Sequence, residues 1–177
     1  MRPIGTVSTQ ILSWNQPKAM TRYWELLAGS ETVATLKMEK TCGSLATASS
    51  ADGQWTFKRS GFLHVRVHIR RAGSEQDVAI FYPRWTGSGI LEETGKGRLP
   101  WFCKGFFDAQ WGWLTDAGAE ILTMNSASSF LKHMADVHIA PDSAIRPDLS
   151  LIILFGFYLT VLMTEDAAAA GTAVIIS

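Results

Sequence analysis

From about Thr9 to Ala140 the chain is built of short stretches in which apolar and polar residues alternate, punctuated by glycine. "TRYWELLAGSETVATLKME" predicts two strands folded about Ala28-Gly29-Ser30. "SLATASSADGQWTFKR" predicts another pair around Asp52-Gly53, a dipeptide suited to tight hairpins. "FLHVRVHIRR", "EQDVAIFY", "SGILEE", "GWLTDAGAEILTM" and "DVHIA" continue the pattern. Turn signals recur roughly every 8–12 residues, the spacing of antiparallel sandwiches and barrels. No stretch before residue 126 sustains a helical period, and "SSFLKHMAD" (128–136) reads as a short helical turn. Nothing marks an internal boundary, so residues 1–177 read as a single domain.

Alternation also predicts register. Leu63, Val65, Val67 and Ile69 alternate with His64, Arg66, His68 and Arg70, which implies one buried face and one wet face. A three-residue loop, Arg59-Ser60-Gly61, places Trp55 and Phe57 beside Leu63 and Val65, with Gly61 in the left-handed conformation. A four-residue loop, Arg71 to Ser74, then puts Val78, Ile80 and Tyr82 on the apolar face. It also pairs Arg70 with Glu75 and His68 with Asp77. A slip by one residue would turn every side chain to the other face.

The period changes at the C-terminal end. "LSLIILFGFYLTVLM" (149–163) carries no charge and is apolar all the way round. Pro147 suits a first helical position, and Asp148 follows where the helix dipole favours an acid. A helix over about 147–164 is predicted, followed by a short apolar tail, 167–177. A membrane span needs about 20 apolar residues for about 30 Å of hydrocarbon. The uncharged residues between Asp148 and Glu165 reach only about 24 Å as a helix. Extending the span would place Glu165 and Asp166 in lipid, at about 2.5–3.5 kcal/mol each if central. Burial within the protein, inside a sheet that closes around the helix, is therefore expected in place of an integral membrane span. A C-terminal membrane anchor is the rival.

Lys plus Arg number 16 and Asp plus Glu number 16, which gives no electrostatic ground for general nucleic-acid binding. Two widely separated cysteines, Cys42 and Cys103, form no disulfide framework, and the N-terminal "MRPIGTVSTQILSW" has no signal-peptide core. A cytoplasmic protein is expected.

The opening "YWELLAGSETVATLKM", "SSADGQWTFKRSGF", "GSGILEETGKGRLPW", "AQWGWLTDAGAEIL" and the terminal "LIILFGFYLTVLM" together resemble the tubby C-terminal-like superfamily. That superfamily includes LURP-one-related proteins and phospholipid scramblases, and the resemblance covers nearly the whole chain. It implies a mainly β fold: a roughly twelve-stranded antiparallel closed barrel around a hydrophobic C-terminal helix. The chain shows neither a proline-rich scramblase arm nor a calcium loop, and lipid scrambling and transcriptional activity are not carried over.

A barrel filled by its own helix leaves no room for a large internal ligand, so binding is expected on the outer face, the rims or the loops. Lys58, Arg59, His64 and Arg66 are expected together on an outer face, where four such groups suit a phospholipid or phosphoinositide headgroup. The resulting expectation is a non-enzymatic barrel, possessing no cofactor, that binds a headgroup or a protein partner and sits peripherally at the membrane.

Other chemistry is weaker. His64 and His68 lie about 13 Å apart along a strand, beyond the reach of one ion. His133, Asp136, His138 and Asp142 fall close together, and a metal-dependent enzyme using His133 and His138 is a second rival. Val137 and Ile139 flank His138 as strand residues would, which favours a wet strand face. Cys103 sits among aromatics and reads as an inert buried thiol. "GSGILEETGKGR" lacks the Gly-Lys-Ser/Thr of a phosphate loop, and Thr94 to Gly97 read as a hairpin turn. The seven tryptophans are spread over most strands, as core layers require, with Trp111 and Trp113 on one strand face.

Overall fold

A computed structural model describes residues 1–40, 43–104, 110–126 and 134–175. Twelve strands follow in chain order: β1 (Leu12–Asn15), β2 (Tyr23–Ala28), β3 (Glu31–Met38), β4 (Ala46–Ser50), β5 (Gly53–Ser60) and β6 (Arg66–Arg71), then β7 (Asp77–Pro83), β8 (Gly89–Glu93), β9 (Gly97–Lys104), β10 (Gln110–Leu114), β11 (Glu120–Ser126) and β12 (Ala135–Ile139). Each strand pairs antiparallel with the next, and β1 closes on β12 with Leu12 opposite Val137 and Trp14 opposite Ala135. The sheet is a closed twelve-stranded barrel. A final helix, α1 (Leu149–Ile175), runs through it.

Small barrels fill their interior with side chains, whereas twelve strands leave room for a further element. Here every residue from Leu149 to Leu162 is buried, which is why an all-round apolar helix is stable without lipid. By length and composition alone Leu149–Ala170 could cross a membrane, yet 67% of its most apolar window is buried in the barrel. Phe155 and Phe157, two positions apart on a helix, face opposite walls. Phe155 meets the rings of Phe57, Phe81 and Trp113 at 5.2, 5.6 and 5.9 Å. Phe157 stacks on Trp14 at 4.2 Å and meets Trp24 edge-on. Gly156 lets the wall approach closely: a Cβ there would lie 2.9 Å from Trp113 Nε1 and 3.1 Å from Trp101 Cζ3. Trp113 uses that space to donate its indole N–H to the Ile152 carbonyl at 2.9 Å.

The helix begins two residues later than expected, at Leu149, with Asp148 just outside it. Arg146 neutralises Asp148 through two bonds of 3.0 and 2.6 Å, so the buried acid is matched. The far end also departs from the reading of a separate tail, because the helix continues unbroken to Ile175. Four successive alanines sustain it, being the best helix formers, although burial ends near Met163. The barrel thus has an entry end, closed by Ile4, Val7 and the start of α1, and an exit end where α1 leaves.

Two register expectations need correction. Strands β5 and β6 pair Phe57 with Ile69 and Ser60 with Arg66, so their loop spans Gly61 to Val65. The predicted three-residue loop is too short by two; because the shift preserves parity Trp55, Phe57, Val67 and Ile69 still face inward, but Leu63 and Val65, expected beside them, fall in the loop, with Leu63 exposed. Gly61 has φ +85°, and a side chain there would collide with the His64 carbonyl. Between β6 and β7 a bulge at Ile69/Arg70 leaves Val78 unpaired. Ala79 and Phe81 therefore point inward, and Val78, Ile80 and Tyr82 are only partly buried. The expected charge pairs form across the same hairpin despite this: Arg70–Glu75 at 2.6 Å and His68–Asp77 at 2.7 Å.

Candidate functional site

Period two divides the four candidate cations. Lys58 lies opposite His68 and Arg66 opposite Ser60, so both belong to the outer face near the exit end. His64 is exposed in the loop that joins their strands. Arg59 falls on the inner side, opposite Val67, and meets α1: its guanidinium contacts Asp166 at 2.5 and 3.1 Å. Hydrogen bonding to Asp166 raises the Arg59 pKa above its ordinary value, and the charge is neutralised there. Arg59 is thus not part of an outer headgroup site. With Arg22, bound to Glu165 at 2.6 Å, it ties the emerging helix to the rim.

The rest of the outer face is self-neutralising. Asp77 accepts from Arg70 Nε at 2.6 Å and faces His68 Nδ1 at 2.7 Å, while His68 Nε2 lies 2.9 Å from Ser60 Oγ. Burial alone would raise the Asp77 pKa, but the bonds from Arg70 and His68 outweigh it and hold the carboxyl below its usual range. Lys58, His64 and Arg66 have no carboxylate partner among the described residues. Arg66 lies over the Tyr82 ring at 5.5 Å, which leaves its edge donors available.

The unmatched cations border an apolar crown. Phe62 and Leu63 form the tip of the β5–β6 loop and are 94% and 84% exposed. Trp85, in the β7–β8 loop, is 97% exposed, and Met20, in the β1–β2 loop, is 90% exposed. Antiparallel order places all three loops at the exit end, beside the point where α1 emerges. Lys18, Lys40, Arg84 and Lys104 are exposed on the same rim. Among the described residues there, the acids Glu165, Asp166 and Glu39 each sit in an ion pair. The entry end exposes Asp52, Glu75, Asp116, Glu120 and Asp142 together with Arg2, Arg71, Lys96 and Arg98, and its exposed large apolar residues are Met1, Ile11 and Ile145.

Sequence reading missed this crown because it weighed strands rather than loops. The signal lay in aromatics set inside turn chemistry: Phe62 directly follows Gly61, and Trp85 sits in "PRWTGSG". Such residues have no strand to turn them inward. The other tryptophans, Trp14, Trp24, Trp55, Trp101, Trp111 and Trp113, are buried, as a core role requires.

The remaining candidates do not converge. His133 and Cys42 lie outside the described residues. His138 is exposed opposite Thr123, Asp136 is half-buried opposite Asn125, and Asp142 lies in the turn Pro141–Ser143. Among the described residues, no three histidine, cysteine or acidic side chains gather as a metal site. Cys103 is half-buried, and burial pushes its thiol pKa up, away from the reactive thiolate.

No family model matches the chain, and neither does any curated protein or solved structure. Nothing in those comparisons identifies a tubby-like or scramblase-like family.

Proposed function

We propose that this protein is a non-enzymatic binding domain that docks, exit end down, on an anionic phospholipid surface. The observation that carries the reading is the crown of Met20, Phe62, Leu63 and Trp85, exposed beside cations without acidic partners. Large apolar side chains held in water are costly unless something covers them, and tryptophan favours the headgroup boundary, where its ring is buried and its N–H stays wet. Lys58, His64 and Arg66 stand behind the Phe62-Leu63 tip, at a level where side chains reach lipid phosphates as the tip enters. Arginine matches phosphate with two parallel donors. The protein would then be peripheral, on the cytoplasmic leaflet, whose anionic lipids attract basic segments. The closed barrel around a hydrophobic helix is also the fold that the tubby-like resemblance implies, and it supports that kinship.

Sedimentation with phosphatidylcholine vesicles, prepared with and without phosphatidylserine, tests this reading. Binding is expected only with phosphatidylserine present. Each cation near the surface contributes about 1 kcal/mol, so Lys58→Ala with Arg66→Ala should weaken binding roughly thirtyfold. Phe62→Ser with Trp85→Ser should abolish it. Failure of the wild-type chain to sediment, or indifference to both pairs, would overturn the proposal. So would a dimer, dissolved by the serine variants, that ignores vesicles.

A further inference from the structure

An open cleft of about 580 Å³ sits at the exit end, between the last buried turns of α1 and the β5–β6 and β7–β8 loops. Its walls are Val67, Phe81, Trp101, Leu162 and Met163, with Val65 and Trp85 at the mouth. The size falls within the roughly 300–1,000 Å³ range of small-molecule sites. Ser88, Arg84 and the Arg59–Asp166 ion pair break the apolar lining, and in that pair the acid is already matched. Arg84 stands at the mouth with no carboxylate partner among the described residues. Trp101 is 2% exposed and contributes its ring to the apolar wall.

We infer that this cleft binds a single-chain amphiphile with a carboxylate head, of the fatty-acid class. The apolar walls take the chain, and the carboxylate satisfies Arg84 at the mouth. One bound molecule per barrel follows, because α1 occupies the rest of the interior. The membrane proposed above would supply the ligand, so its source rests on that reading, whereas the cleft's chemistry does not. Trp85, both on the crown and on the cleft, links the two.

Titration of the full chain with dodecanoate, held below its micelle concentration, tests the inference by calorimetry. Saturation at one molecule per chain is expected, with dodecanol bound at least tenfold more weakly. Arg84→Ala should reduce dodecanoate affinity about tenfold and remove that preference. Val65→Trp should block the mouth and abolish uptake. A chain brominated at its far end provides a readout on the unaltered protein: it should quench tryptophan fluorescence, because Trp85 and Trp101 line the cleft. Absence of quenching, or of saturable binding by the wild-type protein, overturns the cleft assignment, as does dodecanoate binding that Val65→Trp leaves unchanged. Vesicle binding without dodecanoate binding would refute the cleft alone. Dodecanoate binding without vesicle binding would refute the membrane reading alone.

Discussion

Phe155→Asp should abolish the cooperative thermal transition of this protein. Phe155 is fully buried at the centre of the barrel, ringed by Phe57, Phe81, Trp113 and Tyr158. Losing a buried phenylalanine costs about 3–5 kcal/mol in packing. The new carboxylate adds several kcal/mol more, since the core around it is apolar and offers no cation. Together these rival the roughly 5–15 kcal/mol that stabilise a whole domain. Ala169→Asp introduces the same group into the same helix, beyond the rim, where the residue is exposed. It should change stability by no more than about 0.5 kcal/mol. Circular dichroism melts of the two variants separate a buried segment from one that is merely helical.

Trp113→Ala should be the next most damaging change, at about 3–5 kcal/mol in urea denaturation. Its ring is fully buried and packs at a tilt against Trp101 at 4.8 Å, with Phe81 and Phe155 beyond. Alanine would empty the space that Gly156 opens in the helix, and the helix cannot collapse into it while the wall holds its position. Trp113→Phe keeps most of the packing and loses mainly the bond to Ile152 O. Its cost should be nearer 1–2 kcal/mol. Equal losses for the two variants would mean that the hydrogen bond, not the packed ring, joins helix to wall.

Much of the architecture was legible because it rests on periodicity. Alternation in "SLATASSADGQWTFKR" located β4, β5 and their hairpin, although the loop itself is Ala51-Asp52 and Gly53 already pairs with Ser50. The charge-free run at 149–163 declared a helix that needed shelter. A closing sheet was inferred from the helix that needed enclosure and the twelve-stranded barrel from resemblance, since alternation alone describes faces and is blind to whether a sheet's edges meet. The inner face of β7 was misread because a bulge is one unpaired residue, invisible to a pattern that assumes regular pairing. "EQDVAIFY" alternates almost equally well in either phase, and packing against α1 decides for Ala79 and Phe81. Arg59 was misplaced for a related reason. Neighbours on a strand point to opposite faces, so Lys58 and Arg59 could share an outer surface only if the strand ended between them. The β5 strand runs on to Ser60, and Asp166, a long way off in sequence, receives the inward charge. The crown depends on loops of different hairpins meeting at one end, information that exists only once the strand order is known.

Hydrogen exchange along α1 tests the burial of this helix most directly. Amides from Leu151 to Leu162 should exchange only through global unfolding, because they are enclosed by the barrel on every side. Those from Ala167 to Ala170, beyond the rim, should exchange far faster by local fraying. Exchange of the first group at the rate of the second, under conditions where the strands remain protected, would contradict a helix held within its own barrel.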